Sequence, residues 1–453
     1  MTEHEPPDGI ADLSAMLRSA EDLGGDPEPT SPKNGARLKR RRWVRLLTGL
    51  IVTVVVIALV ATYVSLTLTA PVGAAAATVH QPDVTVPAAA AIVLPQVGEA
   101  AVSIAGGDDY LGQTADGIFA SSGGNSPLPM ASISKLITAM VILNSKPLGA
   151  SGTGPTITWT KAQHDLYDKY YLLNATIAAM PTGSAMSEHD ALETMLVVSA
   201  CNYAEAMADW AFGSNAGFVS ATKKWLKAHG LSGTTMIEPT GVDARNTSTP
   251  SDLIAIGKLA MADPAVAAIV AKTSLDVPSL AGMPNTNDLL GTDGVDGIKT
   301  GTLVPGGSDL LFSAVVPVGT STPLTITGVM LAGDSRASVD SAVRSLIASI
   351  TSGFHEEQLA TEGDVVGSYS TPWGAKASMI LGKSASTLTW SNTPITSTMT
   401  TTTLKTGASG EKVGSVTYVA GKSTVTVPVV LKGKIQGPTS WWRLTHPMQL
   451  LGK

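Results

Sequence analysis

The dominant feature of the hydrophobic pattern is an uncharged run of 25 residues, Leu46–Ala70 (LLTGLIVTVVVIALVATYVSLTLTA). At about 1.5 Å per residue, a helix of that length crosses a hydrocarbon core of roughly 30 Å. A buried core helix would show a polar face, and this run has none. Lys39, Arg40, Arg41, Arg42 and Arg45 stand just before it. The positive-inside rule puts that side in the cytoplasm and the rest of the chain outside, as a single-pass membrane protein. A cleaved leader fits less well, because the hydrophilic stretch is long for an n-region and the apolar run is long for an h-region. Residues 1–45 carry few hydrophobics before Trp43, with the acids mostly first and the bases last. They read as a disordered cytoplasmic tail ending in a basic cluster at the membrane surface.

Beyond the span (46–70), residues 71–95 are rich in Ala, Pro, Val and Thr and read as a linker. Residues 96–352 mix helix-like and strand-like patterns. After Pro127 and Pro129, apolar residues recur at Ile133, Leu136, Ile137, Met140 and Val141, which predicts a helix with one buried stripe. The segment HDALETMLVVSACNYAEAMADW also reads as helical. Two apolar runs around Pro305-Gly306-Gly307 predict a β-hairpin. Ser248-Thr249 predicts a cap for a helix starting near Pro250. From 353 to 453 the pattern changes to short Thr/Val/Ser-rich runs, among them Ser397–Leu404, Val413–Val419 and Ser423–Leu431, which read as a small all-β domain. No internal repeat is visible.

Composition narrows the function classes. With 453 residues, two or three domains are expected. The net charge is −6 and no basic stripe lies outside the membrane, which argues against a nucleic-acid partner. An apolar share of 44% argues against global disorder. The single cysteine, Cys201, excludes an internal disulfide and a Cys-cluster metal site. The mean hydropathy of +0.21 agrees with a membrane segment. His164, His189, His229, His355 and His446 are dispersed, so no metal site is expected. No dinucleotide or P-loop motif is present, and no cofactor is expected.

Three short motifs carry the candidate chemistry. In Ser132-Ile133-Ser134-Lys135, Ser132 falls in the first helical turn and Lys135 lies three residues on, facing the same side. A serine hydroxyl is a poor nucleophile until a base removes its proton, and an amine with a lowered pKa can be that base. The helix N-terminus favours negative charge on Ser132. In Lys299-Thr300-Gly301-Thr302 a cation and two hydroxyls stand ready to grip a carboxylate, and Gly301 leaves room for a substrate backbone at the strand edge. In Ser199-Ala200-Cys201-Asn202, Ser199 is a candidate proton relay and the Asn202 amide a candidate holder of a substrate carbonyl. Each motif alone is weak. S-x-x-K describes a capping serine with a solvated lysine equally well, the K-T-G run a strand end, and the middle motif a polar break between helical turns.

Their order changes the picture. S-x-x-K, then S-x-N, then K-T-G is a serine acyl-transferase set. The sequence resembles the low-molecular-weight penicillin-binding proteins, the serine D-alanyl-D-alanine carboxypeptidases, and looks closest to actinobacterial members. The resemblance covers roughly 96–350 and includes PLPMASISKLITAM, EPTGVDARNTSTPSDL, MPNTNDLLG and GVDGIKTGT. It implies an α+β, β-lactamase-like catalytic domain with helices around an antiparallel sheet, followed by the β domain. It implies Ser132 as nucleophile, Lys135 as base and Ser199 as relay. Lys299, Thr300, Gly301 and Thr302 would form the carboxylate site, with Arg336 assisting, and the N–H groups of Ser132 and Thr302 would form the oxyanion hole. The implied partners are a peptidoglycan stem peptide and β-lactams. One departure stands out: Cys201 occupies the place where the family usually has Asn. The expected reading is that Cys201 is tolerated, with Asn202 beside it and substrate binding altered. A non-catalytic wall-binding scaffold of the same fold remains an alternative. So does a β-lactamase, although Glu188 and Glu193 precede the middle motif, whereas the class A carboxylate follows it. The second K-T-G, Lys405-Thr406-Gly407, lacks an S-x-x-K partner and reads as a chance turn.

Overall fold

The computed structural model describes residues 34–112, 115–149 and 152–450. They fall into two units, one made of the two ends of the chain and the other of Ala74–Gln436.

The first unit is built on a helix, Asn34–Thr69. Its stretch Arg40–Thr69 is long and apolar enough to cross a membrane. Leu46, Leu50, Ile57 and Leu66 are all more than 60% exposed, as a lipid-facing helix requires. The helix starts at Asn34, so the basic residues before Leu46 ride on it and are not part of a disordered tail. Once the apolar segment has nucleated, each added Arg, Leu or Lys costs little, because these are good helix formers. The remainder of the expected tail, residues 1–33, lies outside the described residues. Two short helices, Ser440–Thr445 and Pro447–Leu450, end the β-rich stretch that the sequence assigned to 353–453. They belong to this unit. The Arg443 guanidinium donates to the carbonyls of Leu68 (3.2 Å) and Ala70 (2.7 Å), which have no partner within the helix they terminate. The Tyr63 hydroxyl donates to the Leu444 carbonyl at 2.6 Å.

The second unit holds a five-stranded antiparallel sheet. Its order is Ala120–Ser122, Glu99–Ala105, Leu324–Gly333, Gly307–Val316, Val295–Leu303. Period-two alternation sends Leu310, Phe312 and Ala314 to one face and Leu311 to the other. The first face packs against Val343, Leu346, Ile347 and Ile350 of the helix Arg336–Thr351. The second face packs into the core of a helical layer that includes Ser134–Ser145, Glu188–Val197, Cys201–Phe212 and Pro250–Ala262. With both faces covered, the strands read as near-continuous apolar runs. The predicted hairpin is present, with 304–306 as its turn. Thr249 caps the helix at Pro250 by accepting from the Asp252 N–H.

The β-rich part forms a six-stranded sheet ordered Ala76–Val79, Val365–Ser370, Lys376–Leu381, Ser423–Lys432, Lys412–Ala420, Ile395–Thr401. Its core is Tyr369, Met379, Val416, Tyr418, Val427 and Val429. The first of these strands lies in the stretch expected to be only a linker. Thr78 pairs with Ser368 and Val79 with Gly367. Four small, largely exposed residues give no alternation to read, yet their backbone covers an edge that would otherwise stay open. The second K-T-G sits in this part, with Gly407 bridged to Ile435.

Candidate active site

Ser132 lies in a single 3₁₀ turn, Ala131–Ile133, that leads into the helix Ser134–Ser145. The preceding Ala131 is held at φ +45°, a left-handed conformation uncommon for a residue with a side chain. Such strain costs of the order of 1–3 kcal/mol and persists where the surroundings impose it. Here the surroundings are close. A Cβ on Gly241 would fall 1.8 Å from the Ala131 carbonyl oxygen, so only glycine lets that loop press on the turn. Lys135 is completely buried. Its Nζ donates to Ser132 Oγ at 2.9 Å and to the Thr240 carbonyl at 2.7 Å. The three-residue spacing therefore delivers the amine to the hydroxyl.

The strand Val295–Leu303 runs directly against this turn. A Cβ on Gly301 would lie 3.0 Å from both Ala131 Cβ and the Met130 carbonyl oxygen, and 2.8 Å from Asp309 Oδ2. The expected reason for Gly301, room for a substrate backbone, is thus corrected on its Cβ side: the space is filled by the turn that carries Ser132, and glycine permits that approach. Lys299 is buried, and its Nζ donates to Thr286 Oγ1 at 3.1 Å. The Thr300 hydroxyl donates to the same oxygen at 2.6 Å. Burial first, then the charges of Lys135 and Arg336, hold the Lys299 ammonium well below the usual lysine range. Arg336 is the first residue of its helix, with Nη1 3.7 Å from Asp288 Oδ2.

Ser199 occupies the break between the helices Glu188–Val197 and Cys201–Phe212, buried and at φ +66°. Cys201 opens the second helix, is buried, and donates its N–H to the Thr176 carbonyl at 2.8 Å. Asn202 does not play the expected part. Its amide oxygen accepts from the Ala178 N–H (3.1 Å) and its amide nitrogen donates to the Ala178 carbonyl (2.8 Å). Fully buried and satisfied at both ends, it ties a loop to the helix and is not free to hold a substrate.

Three contributors had no assigned role in the sequence reading: Thr286, Thr240 and Glu238. They lie in the quoted runs MPNTNDLLG and EPTGVDARNTSTPSDL, but loop residues whose partners are distant in sequence carry no periodicity. The described residues also contain one group with metal-ligand chemistry, His189, Asp190 and Glu193. Its buried carboxylate is already bound by Lys272 Nζ at 2.7 Å and the Asp276 N–H at 2.8 Å. It gives no reason to place a cation there.

An antiparallel sheet with helices on both faces is a fold also seen in solved penicillin-binding proteins. Penicillin binding protein 5 from Haemophilus influenzae matches this fold at a TM-score of 0.50 and 19% identity, over 78% of this chain and 99% of that one. Penicillin binding protein 6B from Escherichia coli matches at 0.50 and 19% identity, over 77% and 96%. Within the fold, residues 111–321 match the model of peptidase family S11, D-alanyl-D-alanine carboxypeptidase. A D-alanyl-D-alanine endopeptidase of Pseudomonas aeruginosa is 31% identical over 133 residues, 28% of this chain and 37% of the relative. D-alanyl-D-alanine carboxypeptidase DacC of E. coli K12 is 29% identical over 146 residues, 32% and 36%. The matched stretch thus spans little more than a third of these relatives' length. The matches agree with the family that the motifs implied, without placing the chain in an actinobacterial branch.

Proposed function

We propose that this protein is a serine-type D-Ala-D-Ala carboxypeptidase acting on peptidoglycan stem peptides through an acyl-enzyme. The observation that carries the reading is the 2.9 Å contact between Lys135 Nζ and Ser132 Oγ, in a turn against which runs the strand bearing the buried Lys299. Lys135 takes the hydroxyl proton as Ser132 attacks the carbonyl between the two D-alanines. The N–H groups of Ser132 and Thr302 receive the developing oxyanion. Lys299, with Thr300, Thr302 and Arg336, holds the terminal carboxylate, whose charge offsets the burial of the lysine. Ser199 relays a proton to the departing amine, and water then releases the acyl group. β-Lactams acylate the same serine and leave slowly. The N-terminal helix anchors the chain, and its basic flank places the N-terminus in the cytoplasm and the catalytic part outside.

The test is mass spectrometry of the protein after exposure to benzylpenicillin, with release of D-alanine from a pentapeptide analogue measured alongside. The expected result is one adduct, on the peptide containing Ser132, absent in Ser132→Ala. An unlabelled wild-type protein would leave only the scaffold reading. Steady hydrolysis of a chromogenic cephalosporin would point to the β-lactamase. Two of the matching relatives are named endopeptidases, which favours adding a cross-linked muropeptide to the assay. The buried cation at Lys299 suits a free terminal carboxylate, so the pentapeptide is the expected substrate of the two.

A further inference from the structure

The loop that supplies the Thr240 carbonyl to Lys135 is folded around one acidic side chain. Glu238 Oε2 accepts from the Thr240 N–H and the Thr240 hydroxyl, both at 2.6 Å. Glu238 Oε1 accepts from the Gly241 N–H at 2.6 Å and from Asn246 Nδ2 at 3.0 Å. Short contacts of this kind mark charge-assisted hydrogen bonds. One of them has a geometric consequence. The Gly241 N–H and the Thr240 carbonyl belong to the same peptide group, which is planar and trans, so they point in opposite directions. Drawing that N–H onto Glu238 turns the carbonyl the other way, where it meets Lys135 Nζ at 2.7 Å.

The rest of the loop is fastened to the same helix. The Thr138 hydroxyl donates to the Pro239 carbonyl at 2.8 Å. Asn246 Nδ2 reaches Ser134 Oγ at 3.1 Å, and Asn246 Oδ1 accepts from the Ile237 N–H at 2.8 Å. The carboxylate is thus the hub of a loop clamped to the helix that bears Lys135 and follows directly on the turn of Ser132. Glu238 itself reaches neither of those residues.

We propose that Glu238 is a positioning residue for acyl transfer: by fixing the 240–241 peptide it aims the Thr240 carbonyl at Lys135 and so holds the amine on Ser132. This inference rests on the acyl-transfer reading above. Glutamine has the same shape but presents one acceptor and an N–H₂ group to a ring of donors. In Glu238→Gln the peptide loses its fixed orientation while the volume is kept.

The experiment measures acylation by benzylpenicillin in wild type, Glu238→Gln and Thr240→Ala. It separates the binding constant from the first-order acylation rate and records the adduct stoichiometry at completion. In Glu238→Gln the acylation rate is expected to fall about tenfold or more, with binding within about twofold and stoichiometry still one per chain. Thr240→Ala removes one donor to the carboxylate and keeps both backbone amides, so it is expected to show a smaller fall in the same rate. A wild-type rate in Glu238→Gln, or a loss seen only as reduced stoichiometry, would overturn the proposal. If Glu238→Gln does not fold, a wild-type rate in Thr240→Ala does so. Failure of the wild-type protein to acylate overturns the acyl-transfer reading instead, and so is distinguishable.

Discussion

At the scale of single residues, the site depends on buried groups whose charges are expensive. Lys299 is one, and Asp309 is another. Asp309 pairs across the sheet with Gly301 and is buried, and burial pushes its carboxyl up to about 7, although the Ala332 N–H bonded to it pulls the other way. In the unfolded chain an aspartate titrates near 3.9. Between about pH 4 and 7 the folded chain therefore binds a proton that the unfolded chain has released. The stabilisation is fully present below about pH 4 and is lost as the pH rises through about 7. Asp309→Asn keeps an acceptor for Ala332 and removes this dependence. Thermal unfolding from pH 5 to 8 should show a flatter decline than wild type, with Glu188, also raised to about 7, keeping its own share. A slope equal to wild type would refute the assignment. Cys201 offers a second test. A thiol is a weak donor beside the proposed carboxylate site, and the Asn202 amide is already spent on Ala178. Cys201→Asn is expected to raise D-alanine release from a pentapeptide analogue about two- to tenfold, the worth of one added hydrogen bond. An unchanged or lower rate removes Cys201 as a brake. The two candidate motifs were legible in the sequence because they join chemistry to spacing: three residues across a helix start for Ser132 and Lys135, consecutive strand positions for Lys299 and Thr300. Glu238 was not legible, because its partners are backbone amides, which every residue has.

At the scale of elements, strongly periodic segments followed their patterns. Ile133, Leu136, Ile137 and Val141 are buried along the helix Ser134–Ser145 and its lead-in turn, as the 3.6-residue spacing implied. The hairpin around the K-T-G run formed because its Pro-Gly-Gly break allowed little else. What escaped was short or local. The strand Ala76–Val79 is fixed by the open edge it covers, a property of Val365–Ser370 more than of its own side chains. The helix Ser440–Thr445 is fixed by its Thr439 cap and by the end of a helix more than 370 residues earlier in the chain. Thr78→Pro tests the edge strand. The N–H of Thr78 shares its parity with that of His80, which bonds the Val366 carbonyl at 2.9 Å, so proline removes a ladder donor. The expected loss is about 1–3 kcal/mol of stability, with faster amide exchange confined to 365–370. Unchanged protection there would mean that the strand contributes nothing to the β-rich part.

At the scale of the whole molecule, the chain combines a helix able to span a bilayer with a body carrying the peptidase-type site. Composition had already pointed to that division, since an uncharged run of this length has no place in the pattern of the body. The C-terminal helices add a topological feature. Within the terminal unit, Arg443 and Tyr63 join the short C-terminal helix to residues 63–70. Residues 74–436 are therefore tied to the spanning helix twice, once by the chain itself after residue 70 and once by hydrogen bonds from residues 443–444. A single protease nick between residues 70 and 74 should leave it on the membrane fraction, retained by the C-terminal clasp. The same nick in Arg443→Ala should shed it into the supernatant, and release of the wild-type body by one cut would show that the clasp bears no load.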